Sequence, residues 1–226
     1  LMWLKRHLPE RWSRGGYFFD LADFLTWKAS GSTIRSQCTV TAKWTFLAHE
    51  AGWQRDFFAA VGLEDVLERG GLPNAAAPVG SKLASLTAEA AEALGLDTGC
   101  VVGAGLIDAF AGALGVIGGH AGDDIEHRLA LIAGTSSCLM GLSREPRFVK
   151  GVWGPYFGAV LPDHWLYEGG QSATGALLDH IIRAHGAGGE PGADMHARIT
   201  TRILELRAME GADVAAGLNV LPGFHG

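Results

Sequence analysis

The chain has 226 residues, of which 48% are hydrophobic and 19% are charged, and its formal net charge is −6. This apolar content with so little charge excludes a disordered chain, and an acidic balance without a basic stripe argues against nucleic acid as a partner. Three cysteines without a CxxC pair indicate reduced thiols and not a disulfide framework or a zinc site. We therefore expect a cytoplasmic globular protein, and no signal peptide, since no basic leader precedes a long apolar run.

The first half of the chain predicts mostly helices. Residues 1–11 have an amphipathic helical pattern, and residues 17–27 form a second one, with Asp20 as an N-terminal carboxylate and Gly31 closing it. Residues 33–45 have the β-branched, alternating character typical of extended structure. Further helices are predicted at 54–61, 64–69, 87–94 and 109–116, and a buried strand at 100–106.

The second half adds strands. A strand at 128–133, a turn at 134–137 and a returning strand at 138–142 precede a hairpin at 160–167 and helices at 173–185 and 200–209. Strands and helices mixed in this way indicate an α/β protein. The apolar stretch 101–119 has the length of a membrane span, but its glycines and Asp108 favour a strand, a turn and a buried helix, so no membrane partner is expected.

The first candidate site is residues 103–108, where the predicted strand turns into a helix. The segment resembles a dinucleotide-binding GxGxxG turn, but Asp108 replaces the third glycine, and a carboxylate there would repel a pyrophosphate. A helix N-terminus stabilises an ionised carboxylate, which can accept a proton from a substrate hydroxyl. The alternative is that Asp108 only caps the helix.

The second candidate site is the turn Gly134-Thr135-Ser136-Ser137 between two predicted strands. A glycine with three hydroxyl residues offers exposed N–H and O–H donors that can hold the terminal phosphates of a nucleotide. A plain hairpin turn has the same composition and remains the alternative. A serine-hydrolase elbow is not indicated, because the turn lacks the GxSxG pattern.

The third candidate site begins at Glu168 and continues through two glycines to Gln171. The glycines let a ligand approach the backbone, and the two side chains offer an acceptor and a donor to polyol hydroxyls; a helix start capped by Ser172 is the alternative. Lys43, beside Trp44, is either a ligand for a carbonyl or hydroxyl oxygen or a solvated surface charge. The histidines show no HExxH spacing, so no protein metal site is predicted.

Taken in order, these segments resemble the FGGY family of carbohydrate kinases. The sequence Lys43-Trp44 after Cys38-Thr39 is similar to the ribulokinase branch of that family. The segments that carry the resemblance are residues 18–32, the run Gly105-Leu106-Ile107-Asp108-Ala109-Phe110, residues 133–137 and residues 168–175.

The resemblance implies an α/β fold of the actin-like ATPase type, with two ribonuclease-H-like domains that are incomplete in this chain. Residues 1–117 would be the later part of the sugar-binding N-terminal domain, and residues 118–226 the beginning of the nucleotide-binding C-terminal domain. The polar, glycine-rich segment 118–124 suits such a boundary. The family's Asp-x-Gly-Thr phosphate hairpin and its adenosine-binding part are absent from the sequence, so we expect a piece of a longer protein, inactive by itself.

The resemblance also implies ATP-dependent phosphorylation of a ketopentose, with ribulose favoured, at its terminal hydroxyl. ATP and Mg²⁺ are the implied cofactors, a small sugar and ATP the implied partners, and a homodimer a further expectation. Carried over by motif, the catalytic base is Asp108, the substrate-binding residues are Lys43, Asp108, Glu168 and Gln171, and the cofactor-binding residues are Gly134, Thr135, Ser136, Gly175 and Asp179.

Two alternatives stay open at this point. One is an FGGY kinase for another acceptor, such as xylulose, ribitol or glycerol. The other is a non-catalytic actin-like module that binds nucleotide without turnover.

Overall fold

The computed structural model describes residues 1–50, 52–122, 124–134 and 136–220. The chain forms two compact units, both discontinuous in sequence. The first unit comprises Leu1–Ala130 and Met140–Gly169, and the second comprises Leu131–Leu139 and Gly170–Gly226. The predicted family domains, with a boundary at about residue 118, stay a prediction.

The first unit begins with two short helices in place of the single predicted one. Helix α1 spans Met2–His7 and α2 spans Pro9–Arg14. Leu8, with φ −131° and ψ 56°, separates them. The prediction of one helix over residues 1–11 was wrong because a proline disfavours helical geometry in the residue before it, while its own ring suits the first position of a new helix.

Helix α3 (Leu21–Ser30) ends as predicted at Gly31, which has φ 73°. Asp20 is its N-cap residue, but the Asp20 carboxylate makes no capping hydrogen bond and accepts the indole N–H of Trp44. Helix α4 spans Gln37–Lys43, so the extended structure expected at 33–45 is wrong there. The Ser36 hydroxyl caps α4 by accepting the Cys38 N–H, which outweighs the weak preference of β-branched residues for strands.

The rest of the first unit alternates short helices and short strands. The elements are β1 (Phe46–Leu47), β2 (Gly52–Trp53), α5 (Arg55–Ala60), α6 (Val66–Arg69), β3 (Lys82–Ser85), α7 (Ala88–Leu94), β4 (Val101–Gly103) and α8 (Asp108–Ile117). The four helices confirm the helices predicted there. The strand at 100–106 is shorter than predicted and not buried, since Val101 is 51% exposed. Strands β1 to β3 were not predicted, because two to four residues are too few to display an alternating pattern.

The pairing of these strands is local. Strand β1 pairs antiparallel with β2, and β3 pairs antiparallel with β4. A buried apolar cluster lies under α2, α5 and α6, and consists of Trp12, Phe58, Leu63, Val66, Leu67 and Leu72. Among the ranges described, no helix is both long and apolar enough to cross a membrane.

A four-stranded sheet follows, in the order β5-β6-β8-β7. Its strands are β5 (Leu129–Ala133), β6 (Ser137–Ser143), β7 (Trp153–Phe157) and β8 (Trp165–Gln171). Strands β7 and β8 are antiparallel, with Trp153 opposite Glu168 and Phe157 opposite Trp165. The first two strands confirm the prediction, whereas the predicted hairpin at 160–167 covers mainly the connection between β7 and β8.

The described residues of the second unit form two helices, α9 (Gly175–Ala184) and α10 (Ala193–Glu210). Helix α9 confirms the helix predicted at 173–185, and α10 begins seven residues before the helix predicted at 200–209. Ser172 does not cap α9, because the N-cap residue is Thr174 and no side chain makes a capping hydrogen bond.

Arg35 is the buried side chain that ties the loops of the first unit together. It is 1% exposed, and its Nη2 lies 2.8 Å from the carbonyl oxygen of Phe18 and 3.3 Å from that of Gly70. The guanidinium also donates to the Thr33 carbonyl and lies 3.8 Å from the centre of the Phe19 ring. One side chain therefore holds three separate backbone segments, which only the planar fork of an arginine can do.

Replacing Arg35 by lysine is expected to lower the free energy of unfolding by about 3 kcal/mol, because a single ammonium leaves buried carbonyl groups without a donor. The measurement is urea unfolding followed by tryptophan fluorescence. Arg55→Lys is the matched control, since exposed Arg55 makes one 3.2 Å contact with Glu68. Equal effects of the two substitutions would contradict the role given to Arg35.

Candidate active site

The buried carboxylate of Asp23 anchors α4 to α3. One carboxylate oxygen accepts the backbone N–H of Ser36 at 2.8 Å, and the other accepts the hydroxyl of Thr39 at 2.5 Å. Asp23 is 2% exposed, and this burial raises the pKa of its carboxyl, while the two hydrogen bonds act in the opposite direction. Because both donors belong to the start of α4, Asp23 fixes where that helix begins.

The first turn of α4 in turn holds the segment that leads to Asp108. The Ser36 hydroxyl donates to the Gly105 carbonyl at 2.6 Å, and the Cys38 sulfur accepts the Ile107 N–H at 3.4 Å. Both contacts lie within three residues of Asp108, the first residue of α8. The position of this carboxylate is therefore set by α4 as well as by its own helix.

Asp108 is exposed and is the first residue of α8. The N-cap residue is Ile107, so Asp108 does not cap the helix. Its Oδ1 accepts the Ala109 N–H at 2.7 Å, and Oδ2 has no hydrogen bond to any described residue. A solvent-accessible carboxylate with one oxygen free of hydrogen bonds can accept a proton from the hydroxyl of a bound substrate.

Lys43 lies at the opposite end of the same helix. It is the last residue of α4, it is exposed, and within the described ranges its ammonium makes no ion pair or hydrogen bond. A helix of seven residues is about 10 Å long. One short rigid element thus separates the Asp108 segment from Lys43 by about that length.

A cavity of about 350 Å³ lies beside Lys43 in the first unit, and Tyr156 of β7 also lines it. Burial, and then the negative charge of Glu168, raise the pKa of Tyr156 above its usual value. Glu168 is half-buried on β8 and acts electrostatically on a side chain of the Lys43 cavity. Lys43 and Tyr156 therefore line one cavity, and Glu168 lies on the strand that pairs with the strand of Tyr156.

Sequence reasoning missed several residues of this site. Ser36 carried the signal of a helix N-cap, a serine before a short helical segment, but the β-branched residues after it masked that signal. Tyr156 carried none, because Gly154 and Pro155 interrupt any strand pattern in β7.

In the second unit, the predicted phosphate turn lies against the start of α9. The Gly134 N–H donates to the Ser136 carbonyl at 2.8 Å, and the Gly175 N–H donates to the Gly134 carbonyl at 3.4 Å. The hydroxyls of Ser137 and Thr174 are 2.9 Å apart. The turn and a helix N-terminus without a side-chain cap are therefore adjacent, and such an N-terminus attracts anions.

The other residues predicted for this region have separate positions. Thr135 lies outside the described residues. Asp179, one turn into α9, is 2.9 Å from the His196 imidazole of α10. Gln171 donates to the Ala173 carbonyl at 3.3 Å, next to the start of α9. In the part of the chain that the structure describes, no three His, Cys, Asp or Glu side chains are grouped so that they could hold a metal ion.

The chain resembles carbohydrate kinases of one family. Residues 129–226 match the model of the C-terminal domain of the FGGY family of carbohydrate kinases. This chain is also similar to two vertebrate proteins, both called FGGY carbohydrate kinase domain-containing protein. The protein of Homo sapiens is 46% identical and that of Danio rerio 44% identical, each over 100% of this chain. A D-ribulokinase of Saccharomyces cerevisiae is 36% identical over 83% of the chain and 30% of that protein. The chain spans 44% to 45% of the length of the human and zebrafish relatives.

Solved structures agree on the fold. A xylulose kinase from Rhodospirillum rubrum matches with a TM-score of 0.74 at 24% identity, over 100% of this chain and 42% of that one. A gluconate kinase from Lactobacillus acidophilus matches with a TM-score of 0.73 at 17% identity, over 98% and 41%. The prediction of an actin-like α/β fold is confirmed, and so is the predicted resemblance to the FGGY family of carbohydrate kinases.

Ser36→Ala is expected to lower the free energy of unfolding by about 1–2 kcal/mol, because it removes the cap of α4 and leaves the Gly105 carbonyl without its donor. Urea unfolding is the measurement. Ser13→Ala is the control, since among the described residues the hydroxyl of exposed Ser13 bonds to the Glu10 carbonyl, three residues before it. If the two variants were equally stable, Ser36 would not hold the Asp108 segment as described.

Thiol labelling at pH 8 tests the packing of α4 under the same segment. Burial raises the pKa of the Cys38 thiol to about 12, whereas Cys100 is exposed. Because thiolate is the reactive form, a maleimide should modify Cys100 in the folded protein and Cys38 only after urea unfolding, as read by peptide mass spectrometry. Equal labelling of both in the folded protein would contradict a closed contact between α4 and Ile107.

Proposed function

We propose that this chain supplies the acceptor-binding residues and one phosphate-binding turn of an ATP-dependent carbohydrate kinase that phosphorylates a ketopentose, with ribulose as the favoured acceptor. The observation that carries the proposal is the arrangement on α4, with the Asp108 segment held at one end and Lys43 presented at the other. The length of this helix, about 10 Å, is comparable to an extended pentose with a hydrogen bond at each end. Relatives that include a D-ribulokinase support ribulose over other acceptors.

In this proposal the acceptor is held at both ends. Lys43 donates to an oxygen of the sugar, and Glu168 accepts from a hydroxyl. The terminal hydroxyl then lies at the free carboxylate oxygen of Asp108. Fixing the acceptor at two points reduces its freedom before reaction, which is a main source of rate enhancement in phosphoryl transfer.

Asp108 is the general base. It takes the proton of the terminal hydroxyl as the hydroxyl oxygen bonds to the γ-phosphorus of ATP and the bond to the leaving ADP breaks. General base catalysis of this kind contributes about 10²–10⁴-fold. Because Ser36 and Cys38 hold the residues before Asp108, its carboxylate needs little reorganisation when the acceptor binds.

ATP, when bound, supplies the phosphoryl group, and the chain's own part is to hold its phosphates. The backbone of Gly134 and Ser136, the hydroxyl of Thr135 and the N-terminus of α9 at Gly175 are suited to anionic oxygens. We further propose Gln171 as a substrate-binding residue and Asp179 as a cofactor-binding residue near the nucleotide. The match of residues 129–226 to a C-terminal family domain supports residues 118–226 as the beginning of the nucleotide-binding domain and residues 1–117 as part of the sugar-binding domain.

Magnesium is the expected companion of ATP, but the described residues provide no cluster of ligands for it. Mg²⁺ usually keeps several waters and takes one or two carboxylates together with phosphate oxygens. We therefore assign no metal ligand to this chain.

Asp108→Asn, in the full-length protein that contains this chain, is expected to lower kcat for ribulose at least about 10²-fold, since the amide cannot take the proton. Ribulose affinity, measured by calorimetry, should change little. Asp56→Asn is a closely matched control, because Asp56 also lies in the first turn of a helix and accepts the next N–H, at 2.9 Å. Near-normal turnover in Asp108→Asn would overturn the assignment of the base, and turnover of xylulose or a polyol in preference to ribulose would overturn the acceptor.

A further inference from the structure

The cavity beside Lys43 is large enough to hold a small molecule and not only the one ligand atom that the Lys43 ammonium would bind. It lies wholly in the first unit, between the end of α4 with the residues that follow it and strand β7. Its volume of about 350 Å³ falls within the range of small-molecule sites. The walls combine apolar surface from Pro155 and Phe157 with polar groups from Thr41, Lys43, Gln54 and Tyr156.

Thr41 is the first sign that this cavity takes a polar ligand. Its side chain lines the cavity and the residue is 8% exposed, yet its hydroxyl is buried and has no hydrogen-bond partner among the described residues. In a helix a threonine hydroxyl can bond to the carbonyl one turn before it, and Thr41 does not. A buried hydroxyl without a partner costs about 1–3 kcal/mol, which a ligand hydroxyl would offset.

Tyr156 is the second sign. It is half-buried on β7, lines the same cavity and has no hydrogen bond from its hydroxyl within the described ranges. On β8, Leu166 is its direct partner, so Glu168 is its diagonal neighbour on the sheet. Since burial and the Glu168 charge both disfavour the phenolate, the raised pKa keeps Tyr156 protonated and able to donate.

The wall behind these groups is fixed by aromatic packing. The Phe157 ring lies 4.9 Å from the Trp165 ring and 5.9 Å from the His49 ring, measured between centres, and His49 lies 4.5 Å from Trp165. A cavity that combines a fixed apolar surface with hydroxyl groups suits the C–H groups and the hydroxyls of a polyhydroxylated carbon chain.

We propose that Thr41 and Tyr156 are specificity-determining residues that select the acceptor by its hydroxyl groups at the end distant from the transferred hydroxyl. The ligand class is a neutral polyhydroxylated chain, with one hydroxyl bonded to Thr41 and one bonded to Tyr156, beside Lys43. This inference rests on the proposed function, because it takes Asp108 as the reacting end of the same acceptor. A site built to bond a hydroxyl rejects the analogue that lacks it, since its own polar group is left unpaired.

The test uses the full-length protein with Thr41→Val and Tyr156→Phe, each of which removes one hydroxyl with little change of shape. Kinetics are measured with ribulose and with 1-deoxyribulose, which lacks the hydroxyl distant from the transferred one. Tyr17→Phe is the control, since Tyr17 is exposed and does not line the cavity. Thr41→Ser restores the hydroxyl and should restore wild-type KM.

We expect KM for ribulose to rise about 10-fold in each variant with kcat within about twofold, because one neutral hydrogen bond is lost. The wild-type preference for ribulose over 1-deoxyribulose should fall in at least one variant, which a purely structural role would not produce. The free energy of unfolding of Thr41→Val should be equal to or above that of the wild type, because an unpaired buried hydroxyl is removed.

Failure of this inference is distinguishable from failure of the proposed function. If the wild type phosphorylates ribulose and both variants keep its KM and its preference, Thr41 and Tyr156 do not select the acceptor, while the proposed function stands. If ribulose binds by calorimetry, more weakly in the variants, but is not phosphorylated, the inference stands and the proposed reaction is wrong. If the wild type neither binds nor phosphorylates ribulose, both are overturned.

Discussion

The buried carboxylate of Asp23 is the group on which the candidate site depends. A charged group taken out of water is costly unless hydrogen bonds replace its hydration, and Asp23 receives two such bonds, from Ser36 and Thr39. Both donors belong to the start of α4, whose seven residues are too few to form a stable helix by themselves. The contact that satisfies Asp23 is therefore also the contact that allows α4 to exist.

Because α4 is anchored in this way, the residues at its two ends have defined positions in the candidate site. Its first turn bonds to Gly105 and Ile107 and so positions Asp108, and its last residue is Lys43. Arg35, immediately before α4, holds the backbone that leads into α3, so the helix that carries Asp23 is itself restrained. A rigid connection of this kind explains how an exposed carboxylate and an exposed ammonium keep a defined separation without touching each other.

Most of the proposed chemistry divides between the two units. Of the four proposed acceptor-binding residues, Lys43, Asp108 and Glu168 belong to the first unit and Gln171 belongs to the second. Gly134, Ser136 and Gly175, proposed for the phosphates, belong to the second, where the β5–β6 turn bonds to the start of α9. Each group is organised by contacts within its own unit, as expected where acceptor and nucleotide are held by separate parts of a kinase.

The sequence by itself determined the features that depend on local chemistry. Gly31 and Gly95 end helices because glycine adopts a left-handed conformation at little cost, and the order of the motifs carried the resemblance to the FGGY carbohydrate kinases. The tertiary structure alone decided the rest. Residues 37–43 are helical although three of them, residues 39–41, are β-branched. The distant Asp23 carboxylate accepts the Ser36 N–H and so stabilises a helix start there, and intrinsic propensity is too weak to oppose it. The cavity joining Thr41 and Tyr156 was likewise invisible, since residues far apart in the chain meet there only through packing of the folded unit.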